Sequence, residues 1–324
     1  MSSSQRIDLG LRPATLDDVK IVADLETARD PEDARDPDML RFWWTQGSPH
    51  EVRMRLVAER EGAAVAFVAV GHEHWDVNPK RFGWVRPNLH RDIWSESSYL
   101  RLVGTAEAWL RTEGAAIAVA RTRGDFKHEL EALDRAGYKE VRQQRIWELD
   151  LVAGRDRLLA GAERSRRRMR EEGVSLHTLI DDQDPELVTK LYEVTIESEQ
   201  DIPTTMPWRT MQLDEWKRFW FGSPGTRRDR FWIAREGDAI VGLSLIEFPP
   251  SRGLPWTAFT GTSRAVRGRG IARALKYETV AQAISLGFER IRTANDGANA
   301  PILHLNEEMG YRLVAPVIEL HREL

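Results

Sequence analysis

The residues with the clearest chemical potential form a glycine-rich turn in the second half of the chain. The run Arg267-Gly268-Arg269-Gly270 lies between an apolar strand-like stretch and a helical stretch that begins at Ile271. Glycine lets the backbone approach a ligand closely, and the first turn of a helix presents N–H groups that have no intrahelical partner. With arginines beside it, such a turn can hold a phosphate. The alternative is a plain strand–helix turn whose arginines lie in solvent.

Two common nucleotide-binding motifs are absent from this turn. No Gly-Lys-Ser/Thr sequence follows Gly270, so the turn is not the loop that holds a nucleoside triphosphate and Mg²⁺. The run is not Gly-x-Gly-x-x-Gly, and no acidic residue stands where a ribose partner is expected. A nucleoside triphosphatase and a dehydrogenase are therefore disfavoured.

A second polar run, residues 293–299, precedes the next helix. The spacing predicts a helix over Ala300–Met309 that ends at Gly310, where glycine suits the left-handed conformation of a helix C-terminus. Asn299 is well placed to cap this helix with its side chain. Ile302, Leu305 and Met309 fit the core better than a ligand site. These residues lie downstream of the glycine-rich turn, separated from it by one helix and one strand.

The elements that position these runs follow an order that occurs twice. Each half predicts a helix, a polar stretch, two strands joined by a tight turn, another strand, a long helix, a strand and a short helix. The tight turns fall at Glu61-Gly62 and at Glu236-Gly237-Asp238. Because short strands alternate with helices, and some strands connect as hairpins, we expect a mixed α/β sheet in each half.

An arginine-rich stretch joins the two halves. Its arginines are Arg164, Arg166, Arg167, Arg168 and Arg170. A patch that binds phosphate or nucleic acid is one interpretation. We favour a solvated linker helix, because nearby glutamates offset the charge. The predicted organisation is a domain at residues 1–150, a linker helix at 151–173 and a domain at 174–324.

The composition excludes several classes of protein. The 324 residues include no cysteine, which rules out disulfides, thiol nucleophiles and cysteine-ligated metals. The longest apolar run, Ala63 to Val70, is far shorter than the roughly 20 residues of a membrane span. The first residues lack the apolar segment of a signal peptide, and the net charge of −4 argues against a general nucleic-acid or anionic-membrane partner. We expect a cytoplasmic protein.

Both motifs resemble those of the GNAT superfamily of acyl-CoA-dependent N-acyltransferases. The run from Arg267 to Ala272 matches the family's Arg/Gln-x-x-Gly-x-Gly/Ala pyrophosphate loop. Asn299, followed by Gly310-Tyr311 at the family spacing, matches its next motif. The resemblance covers roughly Val174 to Leu324. It implies an α/β (α+β) fold of two tandem GNAT-like domains, each a mixed, mostly antiparallel twisted sheet flanked by helices.

The resemblance also implies where acetyl-CoA binds. The fourth and fifth strands of the domain would part, and the pantetheine arm would lie in the gap. The contacting residues would be Gly261, Thr262 and Ser263 along the arm, Arg267, Gly268, Arg269, Gly270, Ile271 and Ala272 around the pyrophosphate, and Asn299 with Asn295 as hydrogen-bonding partners of the arm.

The first half looks like a degenerate copy of this site. At the equivalent loop, His90 replaces the family's Arg/Gln, Ile93 replaces a glycine and Ser95 replaces the last small residue. A β-branched side chain would block the approach of a phosphate, and Asp92 would repel it. We therefore expect no coenzyme in this half. The tandem arrangement is similar in architecture to the mycothiol synthases.

The implied reaction is direct transfer of an acetyl group to a primary amine. Because the attacking amine must be neutral, a carboxylate should take its proton, with Glu247 the first candidate and Asp201 the second. Many family members place a tyrosine acid seven residues after the motif asparagine. Here that position is Asn306, which donates a hydrogen bond but no proton. His304 or Tyr311 could substitute.

The acceptor and metal predictions rest on weaker patterns. An aromatic group beside Asp201 could line an acceptor pocket, although a buried core is favoured for most of its members, which are Trp208, Trp216, Phe219, Trp220 and Trp232. His72 and His74 could bind a metal, but no third ligand stands at a telling spacing. We expect no metal.

Three functions stay open at this point. The favoured one is an acetyl-CoA-dependent N-acetyltransferase, active in the C-terminal half on a small-molecule or peptide amine. The second is a non-catalytic acyl-CoA-binding protein with a regulatory or scaffolding role. The third is a nucleic-acid-associated protein that uses the arginine cluster, which the net charge disfavours. No membrane partner is expected, and the duplicated architecture is compatible with a monomer.

Overall fold

The computed structural model describes residues 9–46, 48–205 and 209–324, and over these residues the backbone forms twelve strands and nine α-helices. The strands are β1 (Arg12–Pro13), β2 (Glu51–Arg60), β3 (Ala63–Glu73), β4 (Phe82–Leu89), β5 (Ile117–Arg123), β6 (Lys139–Asp150), β7 (Val174–Thr178), β8 (Phe231–Glu236), β9 (Ala239–Glu247), β10 (Trp256–Thr262), β11 (Arg290–Asp296) and β12 (Arg312–Glu323). The helices are α1 (Val19–Arg29), α2 (Pro37–Thr45), α3 (Glu96–Glu113), α4 (Lys127–Arg135), α5 (Arg155–Glu171), α6 (Leu187–Glu199), α7 (Leu213–Gly222), α8 (Ile271–Ser285) and α9 (Ala300–Met309).

The same order of elements occurs twice, with α5 between the two copies. All the strands belong to one mixed sheet in which most neighbours are antiparallel. The parallel pairs are β4 with β5 and β10 with β11. The fold class predicted from the sequence is therefore confirmed. Within the described residues, no helix is both long enough and apolar enough to span a bilayer.

The two halves exchange their last strands. The order across the sheet is β1-β2-β3-β4-β5-β12-β6-β11-β10-β9-β8-β7. Strand β12, from the end of the chain, therefore lies against β5 of the first half, while β6 lies against β11 of the second. A buried ion pair between Arg142 on β6 and Asp296 on β11 strengthens this crossing. The predicted boundaries at residues 150 and 174 do not separate the two halves of the sheet.

Strands β10 and β11 stay paired over only two positions. Trp256 pairs with Arg292 and Thr257 with Thr293, and the two strands then part. A bulge interrupts the pairing of β10 with β9 between Thr257 and Phe259, after which those two strands remain neighbours up to Thr262. The result is a gap whose wall is one edge of β10.

Helices cover both faces of the second half. Helices α6 and α7 pack on one face, around the buried Trp216. Helix α8 packs on the other face, and α5 in turn covers α8. The two helices approach closely at Gly161, where an added Cβ would lie 2.4 Å from the ring of Tyr277. The predicted linker is thus a packed helix whose arginines are partly exposed, with Arg166 paired to the buried Glu278 of α8.

Candidate functional site

The glycine-rich turn leaves an open helix N-terminus. Gly268 and Gly270 have φ angles of +78° and +88°, a conformation that other residues rarely adopt. Nothing lies within 4 Å of the position that a Gly268 Cβ would take. Gly270 occupies the N-cap of α8, where no side chain caps the first N–H groups. These N–H groups and the helix dipole together suit an anion.

The arginines of the turn are held by carboxylates. Asp201 accepts hydrogen bonds from Arg264 and forms an ion pair with Arg267 at 2.6 Å. Arg269 pairs with Glu236 at 2.9 Å and with Glu172 at 3.4 Å. Arg264 and Arg267 lower the pKa of Asp201 to about 2. A carboxylate with so low a pKa is a weak base near neutral pH, so this arrangement favours an anchoring role for Asp201.

The wall of the gap is fixed from behind. Thr262 pairs with Gly242, and the Ser263 N–H donates to the Val241 carbonyl at 3.0 Å. At Gly261, an added Cβ would lie 2.7 Å from Ser198 of α6, so only glycine allows this approach. The three positions named from the family resemblance, residues 261–263, therefore form a rigid edge beside the gap.

The motif asparagines lie where β11 meets α9. Asn299 occupies the N-cap position of α9, but its side chain makes no capping hydrogen bond. The capping role suggested by the sequence is therefore wrong, and the half-buried amide has no protein partner among the described residues. Asn295 accepts a hydrogen bond of 2.7 Å from the amide of Asn306. Asn295 lies in the part of β11 that no longer pairs with β10, and Asn299 follows the end of that strand.

Asn306 is buried and hydrogen-bonded to a buried lysine. The Lys276 ammonium donates to the Asn306 amide oxygen at 2.5 Å and lies 4.6 Å from the ring centroid of Tyr311. Lys276 is 1% exposed, and burial lowers its pKa to about 7. His304, by contrast, is exposed. Among the described residues, the lysine has no carboxylate partner.

The sequence reasoning missed Lys276, although a signal was present. Helix α8 carries apolar residues around most of its circumference, so a charged residue on it is expected to be buried. Glu278 on the same helix is also buried, and there Arg166 of α5 neutralises it at 2.8 Å. No comparable partner faces Lys276 in the described part of the chain, which makes it the more unusual of the two.

Replacing Lys276 with methionine is expected to stabilise the protein at low pH. Because the pKa of Lys276 is lower in the folded chain than in the unfolded one, the unfavourable buried charge is fully present below about pH 7 and disappears toward pH 10. The substitution also leaves the Asn306 amide oxygen without its hydrogen bond from Lys276. With that cost included, we expect the free energy of unfolding to rise by about 2 kcal/mol at pH 6. Thermal unfolding at several pH values measures the difference. Lys80→Met, at an exposed position, is the control, and a difference for Lys276→Met that does not vary with pH would contradict the assignment.

Two partly or fully buried carboxyl groups belong to the elements beside β10. Glu247 ends β9 opposite Trp256, next to the point where β10 and β11 part. Burial raises the pKa of Glu247, while the Ser223 hydroxyl, which donates to its carboxylate at 2.6 Å, lowers it. Glu199, at the end of α6, is 7% exposed, and burial raises its pKa to about 7. Its carboxylate has no hydrogen bond to the described residues.

Glu199 was not among the candidates from the sequence. It stands four residues after the buried Thr195 and eight after the buried Leu191, so it continues the stripe of α6 that faces the sheet. An acidic residue on a buried stripe is the signal that could have identified it. The structure thus adds a second carboxyl group with a raised pKa beside β10.

The turn, the gap and the motif asparagines all lie within a segment that matches a known protein family. Residues 191–311 match the acetyltransferase (GNAT) family. These residues form a GNAT acetyltransferase domain. Such a domain indicates an enzyme that transfers an acyl group to an amine, and the family generally uses an acyl-CoA cosubstrate. The resemblance inferred from the two motifs is confirmed.

Solved structures share the fold over nearly the whole chain. One is a GCN5-related N-acetyltransferase from Sphaerobacter thermophilus, with 20% identity, a TM-score of 0.64, and coverage of 97% of this chain and 95% of that one. A tandem GNAT protein from the clavulanic acid biosynthesis pathway has 13% identity, a TM-score of 0.73, and coverage of 97% and 98%. FemX has 11% identity, a TM-score of 0.61, and coverage of 97% of both chains. A comparison with curated protein sequences gives no significant match.

The aromatic group beside the GNAT domain's first helices is mainly core. Trp216 and Trp220 are buried against each other, with ring centroids 6.0 Å apart. Trp232 instead donates to Gln282 on α8. Phe219 contacts Trp43 of α2, which brings the first half against α7. Trp208 lies outside the described residues. The buried-core interpretation of Trp216 and Trp220 is confirmed.

The histidine pair outside the GNAT domain divides between two environments. His72 is buried and stacks on Trp75, with ring centroids 4.0 Å apart. His74 instead groups with His50 and Asp76, with ligand atoms all within 4.8 Å of one another. From the sequence we expected no metal, because no third ligand stood at a telling spacing. The fold supplies one at the protein surface, in the first half of the chain.

The equivalent gap in the first half has a different lining. Strands β4 and β5 pair from Phe82 to Val85 and then part, as β10 and β11 do. The Ser95 side chain caps α3, so the first N–H groups of this helix are not all free. The gap holds a cavity of about 270 Å³, lined by Arg29, Leu89, Arg91, Trp94, Phe126, His128 and Glu129. That this half holds no coenzyme stays a prediction.

Proposed function

We propose that the protein is an N-acetyltransferase that moves the acetyl group of acetyl-CoA directly to a primary amine, in its C-terminal half. The acceptor is a small molecule or a protein amine. The proposal rests above all on one observation. The gap between β10 and β11 opens beside the N-terminus of α8, which no side chain caps. In a GNAT domain, this combination suits a long ligand that ends in a diphosphate.

The residues around the gap fit the two parts of such a coenzyme. The backbone N–H groups from Gly268 to Ala272 suit the diphosphate, which needs several donors and a positive potential. The free edge of β10 at residues 261–263 suits an extended amide-containing arm, as when a peptide adds to a sheet edge. The side-chain amide of Asn299, which makes no capping hydrogen bond to α9, supplies a further hydrogen-bonding partner for the arm. When bound, the coenzyme supplies an activated thioester.

In the proposed reaction, the amine nitrogen forms a bond to the carbonyl carbon and the carbon–sulfur bond breaks. Glu247 takes the proton that the amine loses, because its raised pKa makes it a better base than an exposed carboxylate. Backbone N–H groups near the β10 bulge stabilise the charge that develops on the carbonyl oxygen. The sulfur leaves as a thiolate, a stable form because the pKa of a thiol is only about 8 to 9.

The Asn306 position favours a second candidate. A buried amide that is already bonded to Lys276 and Asn295 does not supply a proton to a leaving thiolate. This observation is consistent with an acyl-CoA-binding regulatory or scaffolding protein that has no turnover.

Two measurements separate the candidates. Calorimetry with acetyl-CoA tests binding, and thiol release with a panel of small amines and peptides tests turnover. Binding with amine-dependent thiol release supports the acetyltransferase. Binding without thiol release for every amine supports the regulatory candidate. Absence of binding overturns both.

A further inference from the structure

A small pocket lies between the linker helix α5 and the first turn of α8. Its volume is about 170 Å³. Its lining includes Arg164, Ser165, Arg168, Gly270, Arg273 and Glu308. The pocket therefore joins residues of the linker to the glycine-rich turn, although α5 lies outside the matched domain at residues 191–311.

Arg168 brings the linker against the glycine-rich turn. Its Nη1 atom lies 3.4 Å from the position that a Gly270 Cβ would take. Arg168 also pairs with Glu172 at 2.7 Å, and the other oxygen of Glu172 lies 3.4 Å from Arg269 of the turn. The guanidinium group is thus held beside the N-terminus of α8. A Cβ at position 270 would meet this group at van der Waals distance.

The pocket carries a net positive charge. Arg164 makes no hydrogen bond or ion pair with the described residues, so its charge is not neutralised. Arg273 pairs with Glu308 at 2.6 Å, but its Nε atom is buried without a partner. The lining therefore holds three guanidinium groups and one carboxylate. Guanidinium groups bind phosphate oxygens through paired, charge-assisted hydrogen bonds.

We propose that this pocket binds the 3′-phosphate on the ribose of acetyl-CoA. The inference rests on the proposed function, because it takes the coenzyme's diphosphate to lie at the glycine-rich turn. The ribose that carries the 3′-phosphate is attached directly to that diphosphate, so a cationic pocket that shares Gly270 with the turn lies within its reach. The linker helix then selects the phosphorylated coenzyme over forms that lack this group.

The test compares CoA with 3′-dephospho-CoA by calorimetry. The variants are Arg164→Gln, Arg168→Gln and the double substitution. Arg167→Gln is the matched control, because it removes the same charge from an exposed position of α5 that does not line the pocket. We expect each pocket variant to weaken CoA binding about ten-fold and to leave dephospho-CoA binding unchanged. The loss should shrink in high salt, since exposed charges are screened.

The outcomes separate this inference from the proposed function. If the wild-type protein binds neither ligand, the proposed function fails and the inference fails with it. If the wild-type protein binds CoA and dephospho-CoA equally well, the function stands and the 3′-phosphate site is overturned. An equal loss for both ligands in the pocket variants also overturns it, because the arginines then act on the diphosphate. The same loss in Arg167→Gln would show only a general effect of charge.

Discussion

Replacing Gly270 with valine should weaken acetyl-CoA binding at least a hundred-fold. Gly270 has a φ of +88°, which a β-branched residue adopts only with strain. The turn must therefore change shape, and the N–H groups from Gly270 to Ala272 lose their common direction toward a diphosphate. A Cβ at this position would also touch Arg168, 3.4 Å away. Calorimetry measures the loss of affinity, and circular dichroism checks that the fold is retained.

A matched glycine at the other end of the same helix is the control. Gly287 has a φ of +83°, and nothing lies within 4 Å of its Cβ position. Gly287→Val should therefore carry a similar backbone strain but leave coenzyme binding intact. Ile93→Gly, which restores a glycine to the degenerate loop of the first half, should not change affinity. If Gly270→Val binds acetyl-CoA as tightly as the wild type, the phosphate site is not at this turn.

Replacing Glu247 with glutamine should lower kcat about a hundred-fold, the usual contribution of a general base. Burial raises the pKa of Glu247, so the wild-type rate should increase with pH as this carboxyl ionises. Glutamine keeps an oxygen that can accept from Ser223, now 2.6 Å from the carboxylate, but it takes no proton. We expect the acidic limb of the kcat profile to disappear while acetyl-CoA affinity stays unchanged.

Glu199→Gln is the comparison variant, because it neutralises the other carboxyl group with a raised pKa beside β10. If Glu247 is the base, Glu199→Gln should retain most of the activity and the acidic limb of the profile. The opposite result, a large loss in Glu199→Gln and little change in Glu247→Gln, would assign the base to α6. Steady-state kinetics between pH 5 and pH 9 distinguishes these outcomes.

The conformation of the glycine-rich turn was predictable because it depends on local residue types. Gly268 and Gly270 adopt the positive φ angles that their residue type permits, and a helix follows directly. The fold class was predictable for a similar reason, since the periodicity of strands and helices is local. Asn299 was placed at the right end of α9 but given a capping bond that it does not make.

Features that depend on contacts between distant residues were not predictable. A charged residue on an apolar helix face marks Lys276 and Glu199 as buried, but only the fold shows that, among the described residues, neither has an ion-pair partner. The pairing of Asp201 with Arg264 and Arg267 joins residues about 60 positions apart, whereas the sequence suggested that this carboxylate could act as a base. The sequence predicts that Arg168 is a solvated surface charge, because no nearby residue indicates that α5 lies against Gly270.

The crossing of β6 and β12 makes the chain an internal domain swap. Each half of the sheet pairs with a strand supplied by the other half. Unfolding of one half would therefore leave an unpaired strand at the edge of the other. We therefore expect unfolding to be coupled across the two halves, in a single cooperative transition. The GNAT domain therefore depends on the first half of the chain, because β6 completes the sheet beside β11.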